Sequence, residues 1–284
     1  MTQLIGTLRP TPPYDFGIML AVIERFPPVM DRVLNGDYWR ALHIGQEIAL
    51  VRVCNRGTAN DPYLDVYLVA ATGQVDEAAI LHKLRQLLSV DVDLNPFYEF
   101  AATDAALSNV VLPLRGLHNI QTETVFEALQ TLIIEQQITL AGALRAQRWL
   151  VEWANNRVIH DDMAFYTFAM PHQLAGTTVD ELKPLKITSR RMQVMIDVAQ
   201  QEAAGQLNLE TLGDVTPQAA YERLVKLNGI GHWTAAWTLT RGLGHYYAVG
   251  SNDVALQAAV NHYFYGQSGR TTTQVVHDTF ARYG

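Results

Sequence analysis

The stretch Leu224–Val260 reads LVKLNGIGHWTAAWTLTRGLGHYYAVGSNDVALQAAV, and it decides how the rest of the chain is interpreted. Apolar residues at helical spacing predict a first helix over Ala219–Lys226. Gly229-Ile230-Gly231 then predicts a tight turn, because glycine adopts positive φ easily and lets another backbone approach closely. A second helix is predicted over His232–Arg241, and Asp253 is placed to open a third.

A glycine turn that opens a helix has a chemical consequence. The first backbone N–H groups of the helix have no partner within it, and they point the same way at the positive end of the helix dipole. The turn is therefore predicted to suit a phosphate. It is not a dinucleotide-binding fingerprint, because the segment before it is helical and Thr234 stands where a third glycine would be needed.

Four stretches in chain order carry a resemblance to a known family. LNGIGHWTA at 227–235 resembles a helix-hairpin-helix, and Asp253 beyond it completes the pattern of the helix-hairpin-helix–Gly/Pro–Asp (HhH-GPD) DNA glycosylase superfamily. TPPYDF at 11–16 and LIIEQQITLA at 132–141 resemble two further signatures of that superfamily. Within it, the chain is similar to the 3-methyladenine DNA glycosylase II, or AlkA, type.

The resemblance implies an α+β fold in two parts. Residues 1–115 are expected to form an antiparallel sheet-plus-helix domain, and the pattern of Val, Tyr and Leu predicts strands at Tyr38–Leu42, Glu47–Asn55 and Tyr63–Ala70. Residues 116–284 are expected to form the mostly α-helical HhH-GPD glycosylase domain. The last helix of the family is expected to be missing after the helix that Asp253 opens.

Composition limits the function classes. The sequence shows no apolar run of membrane-spanning length and no secretory signal pattern, so we expect a cytoplasmic protein with no membrane partner. A single cysteine, Cys54, excludes an internal disulfide framework and a four-cysteine iron–sulfur cluster. The formal net charge of −7 argues against a DNA-binding protein, unless a local site works through backbone amides and a few cations.

Asp253 has two interpretations. By itself, an Asp before Val-Ala-Leu-Gln is an ordinary helix N-cap. The resemblance implies instead that this acid is catalytic. Breaking an N-glycosidic bond builds positive charge on the sugar, which a carboxylate near C1′ would stabilise while it orients or deprotonates water.

The two tryptophans of the second predicted helix are candidates for the substrate pocket. Trp233 stands where the lyase members of the superfamily have a lysine, so the resemblance implies a glycosylase without strand cleavage. Trp237, four residues on, shares its helix face, and an indole face suits a cationic alkylated purine. Core packing is the alternative for both side chains.

The resemblance also assigns contacts to DNA. Base removal needs the nucleotide flipped out of the duplex, and Gln137 occupies the position of the residue that fills the gap. The full set of expected DNA contacts is Gln136, Gln137, Gly229, Gly231, His232 and Thr234. The backbone carbonyls of Leu227 and Gly229 are candidate ligands for a sodium or potassium ion, and no other cofactor is expected.

The expected function is hydrolysis of the N-glycosidic bond of alkylated purines, such as 3-methyladenine and 7-methylguanine, in double-stranded DNA. A monomer acting in base excision repair is expected. Two alternatives stay open at this point. One is a DNA-binding or damage-sensing protein without turnover, which Asp253 at the expected distance from the hairpin disfavours. The other is a glycosylase for hypoxanthine, uracil or an oxidised purine.

Overall fold

The structure is a computed structural model, and it describes residues 2–283. Its first part is an antiparallel sheet. The elements in chain order are β1 Gln3–Leu8, α1 Phe16–Arg25, β2 Arg32–Leu34, β3 Asp37–Ile44, β4 Glu47–Asn55 and β5 Leu64–Ala71. The strand order is β1-β5-β4-β3-β2, with antiparallel pairing throughout. The predicted sheet is confirmed, while β1 and the three-residue β2 were not predicted.

One face of the sheet is covered by two amphipathic helices. α1 begins after Asp15, whose side chain accepts from Ile18 N, and it buries Phe16, Met19 and Ile23. α2, Glu77–Leu87, buries its apolar stripe against the same face. Two short helices follow, α3 Asn95–Ala101 and α4 Ala105–Val111.

The second part is helical, as predicted. Its elements are α5 Val125–Glu135, α6 Leu140–Ala154, β6 Arg157–His160, β7 Met163–Tyr166, α7 Pro171–Ala175, α8 Ser189–Ala203, α9 Pro217–Val225, α10 His232–Leu243, α11 Val254–Tyr265 and α12 Thr273–Ala281. α5 is at its centre, since its residues from Val125 to Ile134 are all buried. Among the described residues, no helix is long and apolar enough to span a membrane.

The end of the chain differs from the expectation that no further helix follows α11. α12 forms after Thr272, whose hydroxyl caps Val275 N, and it packs against α11. Tyr283 donates to Asp104 Oδ2 at 3.1 Å and packs edge-on against Phe100, so this end of the chain contacts α3 and the start of α4. Three successive threonines before the helix weaken its periodic signal in the sequence.

The two parts of the chain share buried contacts. The β6–β7 hairpin covers the second face of the sheet, where Val158 and Phe165 pack with Ala41, Leu50 and their neighbours. β4 is consequently buried on both faces, which explains its nearly continuous apolar sequence. The division of the chain at residue 115 stays a prediction.

A buried ion cluster also joins the sheet to α5. Arg40 on β3 donates to Asp31 at 2.9 Å and to Glu127 on α5 at 3.0 Å. Tyr38 donates to the same Asp31 carboxylate at 2.5 Å. Burial acts to lower the pKa of Arg40, but the charges of Asp31 and Glu127 outweigh it and raise the pKa well above its ordinary value.

Replacing Arg40 is therefore expected to destabilise the fold strongly. Arg40→Met leaves two carboxylates buried without their cation, and we expect a loss of about 3–5 kcal/mol in the free energy of unfolding. Denaturant unfolding measures it. Arg56→Met is the control, because Arg56 pairs with Asp65 at the surface and should change stability little. Equal effects of the two substitutions would contradict the role of the buried cluster.

Candidate active site

A cavity of about 910 Å³ opens where three segments meet. The segments are the turn between α5 and α6, the hairpin that opens α10, and the start of α11. Its lining includes Gln137, Trp233 and Asp253, which the sequence analysis had singled out from distant parts of the chain. The volume falls within the range of small-ligand pockets.

The hairpin uses its two glycines differently. Gly229 has φ +81°, and a Cβ there would fall 2.5 Å from Val194 Cγ2, so the fold itself requires glycine. Gly231 is the N-cap of α10, with φ −92°, and a Cβ there would meet no atom within 4 Å. Nothing among the described residues requires glycine at position 231, and the helix N-terminus is open on that side.

Asp253 is the N-cap of α11 and also lines the cavity, and its catalytic role stays a prediction. Its Oδ1 accepts from Ala255 N at 2.9 Å and from Leu256 N at 2.8 Å, which caps α11. Its Oδ2 accepts from Trp233 Nε1 at 2.9 Å. These three donors hold the half-buried carboxylate in one orientation at the cavity wall.

Trp233 therefore has a role that the sequence did not suggest. It lines the cavity, as expected, and its N–H also joins α10 to the N-terminus of α11. An aromatic ring with a polar edge can pack and donate a hydrogen bond at once. The 20-residue separation of Trp233 and Asp253 hid this contact in the sequence.

His232 connects the hairpin to its surroundings through both ring nitrogens. Nδ1 lies 2.8 Å from the Tyr221 hydroxyl of α9, and Nε2 lies 2.7 Å from the Val249 carbonyl in the loop before Asp253. A neutral ring that donates from Nε2 and accepts at Nδ1 satisfies both contacts. The ring is exposed and both its nitrogens are engaged within the protein, and the expected DNA contact of His232 stays a prediction.

Gln136 and Thr234 join the α5–α6 turn to the hairpin. Gln136 Nε2 donates to Thr234 Oγ1 at 3.0 Å and to the Gly229 carbonyl at 3.3 Å. Arg191 donates to the carbonyls of Ile134 and Gln136, and burial lowers the pKa of its guanidinium. Thr234 is buried and Gln136 points at the hairpin, and the expected DNA contacts of these two residues stay predictions.

Gln137 differs from its neighbour. It is exposed at the tip of the turn, beside the cavity, and its backbone has φ +49°. A non-glycine residue in the left-handed region costs about 1 kcal/mol or more, and such positions are frequent at functional sites. Its position agrees with the predicted role as the residue that fills the gap in DNA, which stays a prediction.

Trp237 does not belong to the described lining of the cavity, and its assignment to the substrate pocket stays a prediction. Its indole lies against Gly250, where an added Cβ would fall 2.8 Å from Nε1. The guanidinium of Arg241 lies 5.8 Å from its ring centroid. The cation that stacks on Trp237 is therefore supplied by the protein, and helical spacing from Trp233 alone did not reveal this.

Two cavity residues were missed as site residues. Glu135 ends α5, and Arg241 on α10 donates to both its carboxylate oxygens, at 2.9 and 2.8 Å. Gln147 of α6 donates to Glu135 Oε1 at 3.0 Å. Adjacency of Glu135 to the two glutamines was the only available signal, because 106 residues separate it from Arg241.

The carbonyls proposed for an alkali cation each accept one hydrogen bond already. Leu227 O accepts from Ile230 N at 3.1 Å, and Gly229 O accepts from Gln136 Nε2 at 3.3 Å. Each carbonyl has a second lone pair, so a cation at the hairpin stays a proposal. Across residues 2–283, no cluster of three or more His, Cys, Asp or Glu side chains could hold a metal ion.

Comparison with known proteins connects this geometry to a family. No protein-family model matches the chain. The DNA-3-methyladenine glycosylase of Bacillus subtilis (strain 168) is 28% identical over 230 residues, which are 80% of this chain and 75% of the relative. The fold observed here, with a hairpin, an acid beyond it and a cavity between them, is the one expected for such a protein. The similarity to this relative supports the helix-hairpin-helix DNA glycosylase superfamily that the sequence resembles.

Solved structures of this superfamily share the fold. The 3-methyladenine DNA glycosylase of Archaeoglobus fulgidus superposes with a TM-score of 0.82 and 21% identity, over 98% of this chain and 92% of that one. The 8-oxoguanine glycosylase/lyase of Clostridium acetobutylicum, solved with double-stranded DNA, gives a TM-score of 0.70 and 17% identity, over 89% and 80%. The predicted fold of this chain, a sheet domain followed by a helical HhH-GPD core, is confirmed.

The two tryptophans of α10 allow a matched test of the Trp233–Asp253 hydrogen bond. Trp233→Phe removes the N–H that holds Asp253, whereas Trp237→Phe removes an N–H with no hydrogen-bond partner among the described residues. We expect Trp233→Phe to lower the free energy of unfolding by about 1 kcal/mol more than Trp237→Phe. Denaturant unfolding of both variants checks this, and equal losses would contradict the inferred contact.

Proposed function

We propose that the chain is a DNA glycosylase that hydrolyses the N-glycosidic bond of alkylated purines in double-stranded DNA, as a step of base excision repair. The single observation that carries the proposal is the Asp253 carboxylate, fixed by three N–H donors at the wall of a cavity beside a helix-hairpin-helix. The names of the relatives support the substrate class.

The proposed chemistry needs little beyond this carboxylate. Alkylation at N3 or N7 makes the purine cationic, so the base leaves with the electrons of the C1′–N bond and becomes neutral. Asp253 stabilises the positive charge that develops on the sugar and orients the water that adds to C1′, and that water passes its proton to the Asp253 carboxylate. The Trp233 N–H keeps the carboxylate in place during both steps.

The glycosylase is proposed to act without lyase activity. A covalent mechanism needs an amine that attacks C1′ and forms a Schiff base. The described lining of the cavity includes no lysine, and the indole of Trp233 occupies the wall beside Asp253. Hydrolysis by water is the reaction that these side chains support.

We propose that few charged side chains contribute to DNA binding. The open N-terminus of α10 offers backbone N–H groups to a phosphate, and the exposed Gln137 lies beside the cavity to fill the space left by a flipped nucleotide. Gln137 is less apolar than the residue expected at such a position. One chain supplies the cavity, the carboxylate and this turn, so we propose a monomer.

The charges of the cavity favour a cationic base. Its described lining includes two carboxylates, Glu135 and Asp253, and one guanidinium, Arg241, so one negative charge is in excess when His232 is neutral. This charge supports 3-methyladenine and 7-methylguanine over neutral bases. An oxidised purine is the second candidate, favoured by the likeness to the 8-oxoguanine glycosylase/lyase, although 17% identity bears on the fold alone.

The test is single-turnover base release from duplexes that contain 7-methylguanine, hypoxanthine or 8-oxoguanine. Strands are analysed on gels with and without alkali, and a parallel sample contains borohydride. We expect release of 7-methylguanine, strand breaks only after alkali, and no trapped protein–DNA adduct. No release from any alkylated duplex would refute the function, and a borohydride adduct would refute the monofunctional assignment.

Asp253→Asn should remove base release while DNA binding persists. We expect a loss of at least about 100-fold in the single-turnover rate, because the amide carries no charge to stabilise the sugar. Asn is a good N-cap, but its amide has one oxygen, so one of the present donors loses its acceptor. Asp162→Asn in the exposed β6–β7 turn is the control for the change of charge. A single-turnover rate of Asp253→Asn near that of the unmodified protein would exclude a catalytic role for the Asp253 carboxylate.

Gly231→Asp tests the phosphate site, because we expect it to maintain or raise stability while it weakens DNA binding. Asp is a better N-cap than Gly or Ala, so Gly231→Asp should keep or raise the melting temperature of the protein. It should also weaken binding to undamaged duplex at least about tenfold, because it places an anion where a phosphate approaches. Gly231→Ala, which meets no clash within the protein, controls for the added Cβ.

The two Gly231 measurements separate folding damage from loss of the site. A stable Gly231→Asp protein with unchanged affinity would exclude the hairpin as a phosphate site. We also expect a shallow dependence of binding on salt concentration, because few cations displace counterions from the DNA. A steep dependence would indicate a basic surface elsewhere on the chain.

A further inference from the structure

We propose that Glu135 selects the flipped base by accepting a hydrogen bond from an N–H group on it. This inference rests on the proposed function and deepens it, because it names the group that distinguishes one base from another. Glu135 lies in the same cavity as Asp253, at the C-terminal end of α5. The resemblance to the superfamily did not assign it a role.

The carboxylate of Glu135 is held in a fixed orientation. Arg241 Nη1 donates to Oε1 at 2.9 Å and to Oε2 at 2.8 Å, and Gln147 Nε2 donates to Oε1 at 3.0 Å. Arg241 is itself placed against the ring of Trp237. Three bonds from two side chains, one of them packed on an indole, restrict the carboxylate before any ligand arrives.

The Oε2 atom of Glu135 can accept one further hydrogen bond. An ionised carboxylate has about four lone-pair sites. Two hydrogen bonds occupy Oε1 and one occupies Oε2, so Oε2 can accept one more. The Glu135 side chain is 18% exposed and lines the cavity, and the remaining site is therefore within reach of a molecule that enters it.

The chemistry of that site defines which bases it favours. A carboxylate accepts hydrogen bonds and cannot donate them, so it favours bases with an N–H on the edge that faces Oε2. The exocyclic amine of 3-methyladenine and the N1–H of 7-methylguanine or hypoxanthine are such donors. The positive charge of the methylated bases strengthens the bond. 1,N6-Ethenoadenine has no N–H on its fused ring edge and cannot make it.

The same arrangement explains how a negative side chain is tolerated in a site for DNA. Arg241 neutralises most of the charge of Glu135 while the cavity is empty of ligand. A flipped base then meets an acceptor whose orientation is already set, and it needs only to supply the last donor. A base without that donor leaves the buried acceptor less satisfied, which is the usual origin of strong discrimination by polar groups.

The experiment compares two lesions on matched variants. Single-turnover release of 7-methylguanine and of 1,N6-ethenoadenine is measured for the unmodified protein, Glu135→Gln and Glu152→Gln. Glu152 is exposed on α6, so its substitution controls for the loss of one negative charge near DNA. Binding to undamaged duplex is measured for all three proteins.

In Glu135→Gln, the amide oxygen can still accept from Arg241, and the amide N–H₂ then faces the base. We expect release of 7-methylguanine to fall about tenfold or more, while release of ethenoadenine falls less than about twofold. Glu152→Gln should change neither rate. A ratio of the two rates that Glu135→Gln leaves unchanged would overturn the proposal, even if the unmodified protein is an active glycosylase.

A conservative variant keeps the proposal testable if Glu135→Gln does not fold. Glu135→Asp retains the charge that pairs with Arg241 but withdraws the carboxylate by one methylene. It should lower the 7-methylguanine rate selectively, with an intermediate effect. Loss of both rates in equal proportion in Glu135→Asp would contradict base selection. If the unmodified protein releases no alkylated base, the proposed function fails first, and the two failures are thereby distinguished.

Discussion

The hydrogen bond from the Trp233 indole to the Asp253 carboxylate is the interaction on which the site depends. It ties the first turn of α10 to the N-terminus of α11, two helices joined by an exposed loop. His232 ties the same turn to that loop through Val249, and Gln136 ties the α5–α6 turn to the hairpin. Three segments from distant parts of the chain thus converge on one helix N-terminus.

The acidic sequence is compatible with the proposed DNA binding, because the charges near the site matter more than the total charge. Some of the carboxylates are engaged within the protein: Asp31 and Glu127 by Arg40, Glu135 by Arg241, Glu210 by the N-terminus of α5. The formal charge of −7 already includes Arg40 and Arg241, and as a sum over the whole chain it does not describe where the charges lie. A phosphate that approaches Gly231 meets backbone donors and a helix dipole, and the local field there is more relevant than the total charge.

A feature could be predicted from the sequence where its interactions are local, and it was missed where they join distant segments. Local signals were sufficient for α10 and for the N-cap of α11, because a glycine turn and an Asp before an apolar run act within a few residues. Strands β1 and β2 were missed because they depend on partners elsewhere in the sheet. The Glu135–Arg241 pair and the Arg241–Trp237 contact were missed for the same reason, since no local pattern records a contact between α5 and α10.

The two hairpin glycines show how a structure separates requirements of the fold from requirements of a ligand. Gly229 is explained from within, by its positive φ and by the Val194 side chain that a Cβ would strike. Gly231 has an ordinary φ and open space around its missing side chain, and Asp or Ser there would cap α10 better than glycine does. A glycine that internal packing does not require, at the positive end of a helix beside the cavity, leaves room for a molecule that comes from outside. We propose the phosphate backbone of DNA for that space, because the helix N-terminus favours an anion, and the same turn positions Trp233 against Asp253. In the proposed function, DNA binding and catalysis are therefore coupled through one turn of helix.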